Sequence, residues 1–379
     1  MKQWRHQLHL YPELAFEVTS TAATVADQLR AFGLDEVHEG IGRSGVVGVL
    51  RRGTSSTMIG LRADMDALPI QEHGDSEHQS RINGVFHGCG HDGHTSMLLG
   101  AAKHLSTNGS FDGTVVFVFQ PDEENGRGAQ AMIDDGLLDR FLLSAIYGLH
   151  NTPGIPAGHF ATRVGPMMSS EDLFEITIRG RGGHASVPQH HVDPIVIGAE
   201  IIQALQTIVS RSVAATDTAV VSVTELITDG ARNIVPSNVI IRGDCRTFST
   251  DVQHRIEQRM GELVDGICGA HGASGHVEYR NEFVPLVNTG PEVDAALGAA
   301  GAVAGPEGVD GTCGLVTASE DFARYLHLVP GCFITIGNGR DGVCGQSLHH
   351  PNYDFNDEIL AAGSSYWVEL VESQLPAAA

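Results

Sequence analysis

Thr114-Val115-Val116-Phe117-Val118-Phe119-Gln120 is an apolar run without alternation, and Pro121-Asp122-Glu123-Glu124-Asn125-Gly126 follows it at once. A strand that is apolar on both faces belongs inside a largely parallel sheet with helices on each side. In such sheets ligands gather at the carboxyl edge of the strands, where Glu123 and Glu124 stand. Neighbouring loop residues point in different directions. One glutamate can therefore hold a metal ion while the other serves as general base toward a water. A plainer alternative is an acidic helix start, favoured by the helix dipole.

Other strands end in the same way. Residues 46–50 and 57–61, split by Arg51-Arg52-Gly53, read as a hairpin. The second run leads into Arg62-Ala63-Asp64-Met65-Asp66. Asp64 and Asp66 are placed to orient metal-holding imidazoles, which usually donate their free N–H to a carboxylate or carbonyl. The strand at 143–149 delivers His150. Between these lies His87-Gly88-Cys89-Gly90-His91-Asp92-Gly93-His94-Thr95, with a thiol, three imidazoles and a carboxylate in nine residues. Thiolate and neutral imidazole hold borderline-soft divalent ions best, and the glycines let Cys89 and His91 turn toward one ion.

The rest of the chain frames these stretches. Residues 4–32 have the apolar spacing of a helix ended by Gly33, which leaves His6 and His9 as helix-surface residues before a proline turn. A helix is expected over 95–105. From residue 169 the texture changes. A half-exposed strand at 173–179, a helix at 194–211, strands at 218–226 and 239–244, a helix at 251–271 and a strand at 276–280 give the β-α-β-β-α-β order of a ferredoxin-like sandwich. The chain thus divides into 1–168, an inserted 169–284, and 285–379. In the insert His184 follows Gly182-Gly183 in a loop, as suits a mobile donor, while His190 and His191 read as solvated. Residues 290–313 read as a helix, Ser319-Glu320-Asp321-Phe322 as a helix cap and 333–336 as a buried strand. His349 or His350 can complete a metal site, and spacing does not choose between them. Residues 376–379 read as a frayed end.

Composition narrows the function classes. The chain has 379 residues, 42% hydrophobic and 18% charged, enough to bury globular cores. A net charge of −23 argues against nucleic acid or an anionic membrane as partner. No apolar run approaches the roughly 20 residues of a membrane span. Met1–His6 read as the start of a polar-faced helix rather than a signal peptide. Six scattered cysteines form no disulfide framework, so a cytoplasmic protein is expected.

The stretches at 62–69, 89–95, 119–124, 148–150, 182–186 and 348–357, in this order, resemble the amidohydrolase branch of the aminoacylase/carboxypeptidase-type di-metal peptidases. That branch includes hippurate hydrolases, N-acyl-amino-acid amidohydrolases and auxin-conjugate hydrolases. The resemblance implies an α/β catalytic domain with an inserted lid and dimerisation domain, and hydrolysis of a small N-acyl amino acid. It implies two divalent ions (Mn, Zn, Co or Ni) held by Cys89, His91, Glu124, His150 and His349, and Glu123 as general base. It further implies His184 as donor to the oxyanion, often in the partner subunit's site of a homodimer, and Asn233 and Arg246 as holders of the substrate carboxylate. The chain departs from the family at Phe86-His87-Gly88-Cys89, where Met-His-Ala-Cys is usual, and at Asn125-Gly126-Arg127-Gly128, where Arg127 bears on the acyl side of the pocket. Two rival expectations are a dipeptidase acting on unblocked peptides and a non-catalytic metal-binding protein with the same fold.

Overall fold

In the computed structural model, which describes residues 1–377, the chain divides into two compact units. The first comprises Met1–Met167, Val287–Gly314 and Glu320–Ala379, and the second Met168–Leu286 and Leu315–Ser319. Residues 315–319, grouped from sequence with the third stretch, fall in the second unit.

An eight-stranded mixed sheet organises the first unit, in the order Glu36–Ile41, Gly45–Arg52, Gly113–Gln120, Met58–Asp64, Ala145–Pro153, Gly331–Gly339, Phe160–Ala161, Val309–Asp310. Its four central strands, from Gly113–Gln120 to Gly331–Gly339, run parallel. Every residue of Gly113–Gln120 is buried, as its composition requires. Helices His91–Asn108, Gly290–Ala304 and Leu360–Gln374 pack in the same core, through Leu98, Ala296 and Trp367 among others.

The expected hairpin of 46–50 with 57–61 does not form. Gly113–Gln120 lies between the two runs, antiparallel to Gly45–Arg52 and parallel to Met58–Asp64. Burying a doubly apolar strand in the sheet centre outweighs local pairing. The connecting loop is held elsewhere, by the Asp112 carboxylate accepting from the N–H groups of Thr54 and Ser55 at 2.6 Å. Gly45–Arg52 instead makes its hairpin with Glu36–Ile41, a strand the sequence reading missed.

The helix expected at 4–32 is two, Lys2–Leu10 and Thr19–Ala31. Pro12 has no N–H to continue the first. Glu13 then accepts from the backbone N–H groups of Ser20 and Thr21 at the second helix's start. Helix Gly290–Ala304 stops at Gly305, short of the expected 313. Pro376, expected to fray, bridges to Phe111, while residues 378–379 of that expectation lie outside the described residues.

The second unit is a four-stranded antiparallel sheet in the order Ala219–Thr228, Asn238–Thr247, Glu171–Arg179, Ser274–Phe283. With helices Pro194–Thr207 and Thr250–Ala270 this is the ferredoxin-like arrangement. Alternation buries Phe174, Ile176 and Ile178 on one face, against Ile201, Leu205, Ile256 and Met260. The first helix ends at Thr207 and a single π turn, Ile208–Ser212, covers the rest of its expected span.

Candidate metal centre and active site

Two carboxyl strand ends of the large sheet deliver Asp64 and Gln120 with the turn behind it, while His150, expected just past a strand 143–149, lies within strand Ala145–Pro153, its donor atom close to those of Asp64 and His91. His91 opens helix His91–Asn108, and Gly90 precedes it at φ +93°. A β carbon at Gly90 would lie 2.3 Å from Asn151 Oδ1 and 2.7 Å from the Tyr353 hydroxyl, so the approach requires glycine.

Donor atoms of Cys89, His91 and Glu124 lie within 4.8 Å of one another. Cys89 Sγ is 3.5 Å from His150 Nε2. His150 Nδ1 lies 2.6 Å from the Asn151 carbonyl, so Nδ1 carries the proton and the Nε2 lone pair faces Cys89. His91 is fully buried, yet neither ring nitrogen has a hydrogen-bond partner. Its Nδ1 stands 3.4 Å from Asp66, and its Nε2 stands 3.8 to 3.9 Å from Asp64, Glu123 and Glu124. Glu124 Oε1 is likewise buried without a partner, and Glu124 Oε2 is 3.5 Å from His349 Nε2. His349 has φ +65°, a conformation unusual for a residue with a β carbon, and its N–H donates to the Gly88 carbonyl.

Two aspartates set this geometry. The Asp66 carboxylate accepts from the N–H groups of both Glu123 and Glu124, at 3.1 and 3.2 Å. Asp64 is 2.6 Å from Arg62 Nη1 and 2.6 Å from His94 Nδ1. His94 thus belongs to a second buried group with Asp64, His91 and His150. A third group joins Glu123 to Glu320 and Asp321, and Arg62, itself buried, pairs with the latter two at 3.0 Å.

Burial and crowding displace the protonation equilibria. Burial, then the charges of Glu320 and Glu124, push the Glu123 carboxyl well up. Burial lifts Glu124 to about 7 against the pull of His91. Burial and the two glutamates raise the Cys89 thiol. His91 resists burial through Asp64 and Asp66 and rises to about 10. The cluster is rich in anionic groups around one imidazole. An S, N, O donor set with an orphaned ring and an orphaned carboxylate oxygen fits a divalent cation.

The structure thus gathers Cys89, His91, Glu123, Glu124, His150, His349, Asp64 and Asp66 in the first unit. His184, Asn233 and Arg246 lie in the second. There the exposed His184 pairs with Ile234, and the Ala185 N–H donates to the Asn233 carbonyl, which brings those two loops together. Arg246 is already engaged, by Asp244 at 3.0 Å, Glu171 at 3.0 Å and the Ser319 hydroxyl at 2.9 Å. His191 is not a solvated loop residue: it is half-buried, packs against Gly183 and lies 3.0 Å from the His184 carbonyl.

Sequence reasoning missed Arg62, His94, Glu320 and Asp321. The sequence places Glu320 in a helix cap, and its carboxylate does accept from the Phe322 N–H, but it also holds Arg62. His9 is no surface residue. It is fully buried, 2.8 Å from Asp92 and 3.3 Å from Glu72.

The chain is similar to several known proteins. Peptidase family M20/M25/M40 matches residues 60–373. A hippurate hydrolase of Campylobacter jejuni is 39% identical over 97% of this chain and 94% of its own. An N-acetylcysteine deacetylase of Bacillus subtilis is 34% identical, again over 97% and 94%. The crystal structure of a dinuclear metal binding peptidase of family M20 from Bacillus subtilis superposes with a TM-score of 0.86 at 30% identity, covering 100% of this chain and 98% of that one.

Proposed function

Because the chain belongs to peptidase family M20/M25/M40, we propose that it hydrolyses the amide bond of N-acyl amino acids to a carboxylate and a free amino acid. That it is a hydrolase of amide bonds follows from its relatives. The observation that carries the finer reading is the adjacent pair of buried Glu123 and half-buried Glu124, with the Glu124 carboxylate against Cys89 and His91 and that of Glu123 against Glu320 and Asp321.

In this reading Cys89, His91, Glu124, His150 and His349 hold two divalent ions of Mn, Zn, Co or Ni type. When bound, such ions polarise an amide carbonyl and acidify water. Glu123 receives the proton of the attacking water on its carboxylate and returns it to the leaving amine. Asp64 and Asp66 keep the imidazoles and the glutamate turn in register. His184 is the donor to the developing oxyanion. Arg246 and Asn233 take the substrate carboxylate, for which a guanidinium fork is suited.

A homodimer through the second unit belongs to the same reading. Its edge strand Ala219–Thr228 is paired on one side and exposes Val220, Leu226 and Ile227. No helix among the described residues is long and apolar enough to cross a membrane, and the six cysteines are free, in keeping with a cytoplasmic enzyme.

The test is a metal-resolved panel. Chelated protein is reloaded with Mn, Zn, Co or Ni and assayed for amine release from hippurate, N-acetyl amino acids, an indole-acetyl amino acid and a plain dipeptide. Metal-dependent release from an acylated amino acid and not from the dipeptide is expected. Release from the dipeptide alone would contradict the proposal.

A further inference from the structure

We propose that Arg5 is a positioning residue for the metal centre, tying the segment that carries Cys89 and His91 to the segment that carries His349. The inference rests on the assignment of those three residues as ligands. Arg5 lies in helix Lys2–Leu10, far from them in sequence, and its side chain is wholly buried. Its Nε is 2.9 Å from Asp92 Oδ2, a close ion contact rather than an aligned hydrogen bond. Its Nη2 donates to Asp354, and its Nη1 stands 3.4 Å from Asp357 and 2.7 Å from His78 Nε2, which itself lies 2.9 Å from Asp354. One guanidinium thus meets three carboxylates drawn from two segments. Asp92 directly follows His91, Asp354 sits in the same loop as His349, and Asp357 opens the 3-10 turn Asp357–Ile359 that follows the loop.

Both segments have reason to need such a clamp. His349 takes a left-handed φ, and its side chain is 50% exposed, so its own packing does little to hold the ring. The loop also touches the 87–91 segment where the His349 N–H meets the Gly88 carbonyl. Beyond it, the Tyr353 hydroxyl accepts from Asn151 Nδ2 at 2.6 Å. Four residues along the helix, His9 meets the same Asp92 oxygen as Arg5 does, and its other nitrogen lies near Glu72. A buried ion pair is a poor source of net stability, because desolvation offsets much of the attraction. Its value here is geometric. The fork fixes the spacing of Asp92 and Asp354, and with it the backbones that present the ligands, as outer groups do for metal sites in general.

The experiment titrates chelated full-length protein with cobalt(II), following the thiolate-to-cobalt absorption that reports Cys89 and the ions bound at equilibrium. Arg5→Met removes the fork. Asp354→Asn, at the partly exposed end of the network, weakens it with less risk to folding. Leu370→Ala, a core truncation in the C-terminal helix, controls for general destabilisation. Folded Arg5→Met is expected to bind cobalt about ten- to a hundredfold more weakly with an altered thiolate band, Asp354→Asn more weakly by a smaller factor, and Leu370→Ala unchanged. Wild-type affinity and spectrum in Asp354→Asn and in any Arg5→Met that folds would overturn the inference, as would an equal loss in Leu370→Ala. Absence of cobalt binding by the unmodified protein would instead remove the ligand assignment itself.

Discussion

His9 shows how a single buried residue carries consequences that helix periodicity hides. Burial works against its charge, but Asp92 and Glu72 outweigh burial and raise it to about 9 from an ordinary 6.5. A group whose folded value is raised contributes stability that is fully present below the unfolded value and is lost as pH rises through the folded one. The melting temperature is therefore expected to fall between pH 6.5 and about 9 more steeply in the wild type than in His9→Gln. Parallel profiles for the two proteins would show that the ring is neutral throughout. The same residue marks a limit of sequence reading. Its environment comes from Glu72 and Asp92, distant in sequence, and no local pattern announces such partners. Arg62, Glu320 and Asp321 escaped for the same reason, since charged side chains read as surface until a non-local partner is known.

The turn after Gly113–Gln120 is the element on which the site depends. Asp66, two residues beyond the neighbouring parallel strand Met58–Asp64, caps two consecutive N–H groups of that turn. Its carboxylate also faces His91 Nδ1. Asp66→Ala is expected to cost about 1–3 kcal/mol of stability by stranding buried donors. It should also lower turnover and metal content together, as chemical denaturation, steady-state assay and elemental analysis would report. Intact metal content with wild-type turnover would deny the turn its role. Strand ends were legible because an apolar run followed by a ligand-type residue is a local signal, repeated at Asp64, Glu123 and His150. The pairing of those strands was not. Gly113–Gln120 wedges between two runs that a glycine turn made look like a hairpin, and the choice is made by burial in the assembled sheet. The ferredoxin-like order was readable because its alternation and helix periods are local. The engagement of Arg246 by Glu171 was not, because it depends on the register between strands Asn238–Thr247 and Glu171–Arg179.

For the whole molecule, the anion-rich cluster in the first unit links metal to stability. Ions that bind only the folded chain stabilise it by mass action, by about 2.7 kcal/mol at a hundred times the dissociation constant. Chelation is therefore expected to lower the melting temperature and reloading to restore it. A melting temperature indifferent to chelator would contradict metal binding by the folded state. The division of labour we propose between two adjacent glutamates can be read by comparing Glu123→Gln with Glu124→Gln for turnover and bound metal. Glu123→Gln is expected to keep its ions and lose about 10²- to 10⁴-fold in kcat, whereas Glu124→Gln is expected to lose metal. Near-wild-type turnover in Glu123→Gln, or loss of metal from Glu123→Gln with retention in Glu124→Gln, would contradict it.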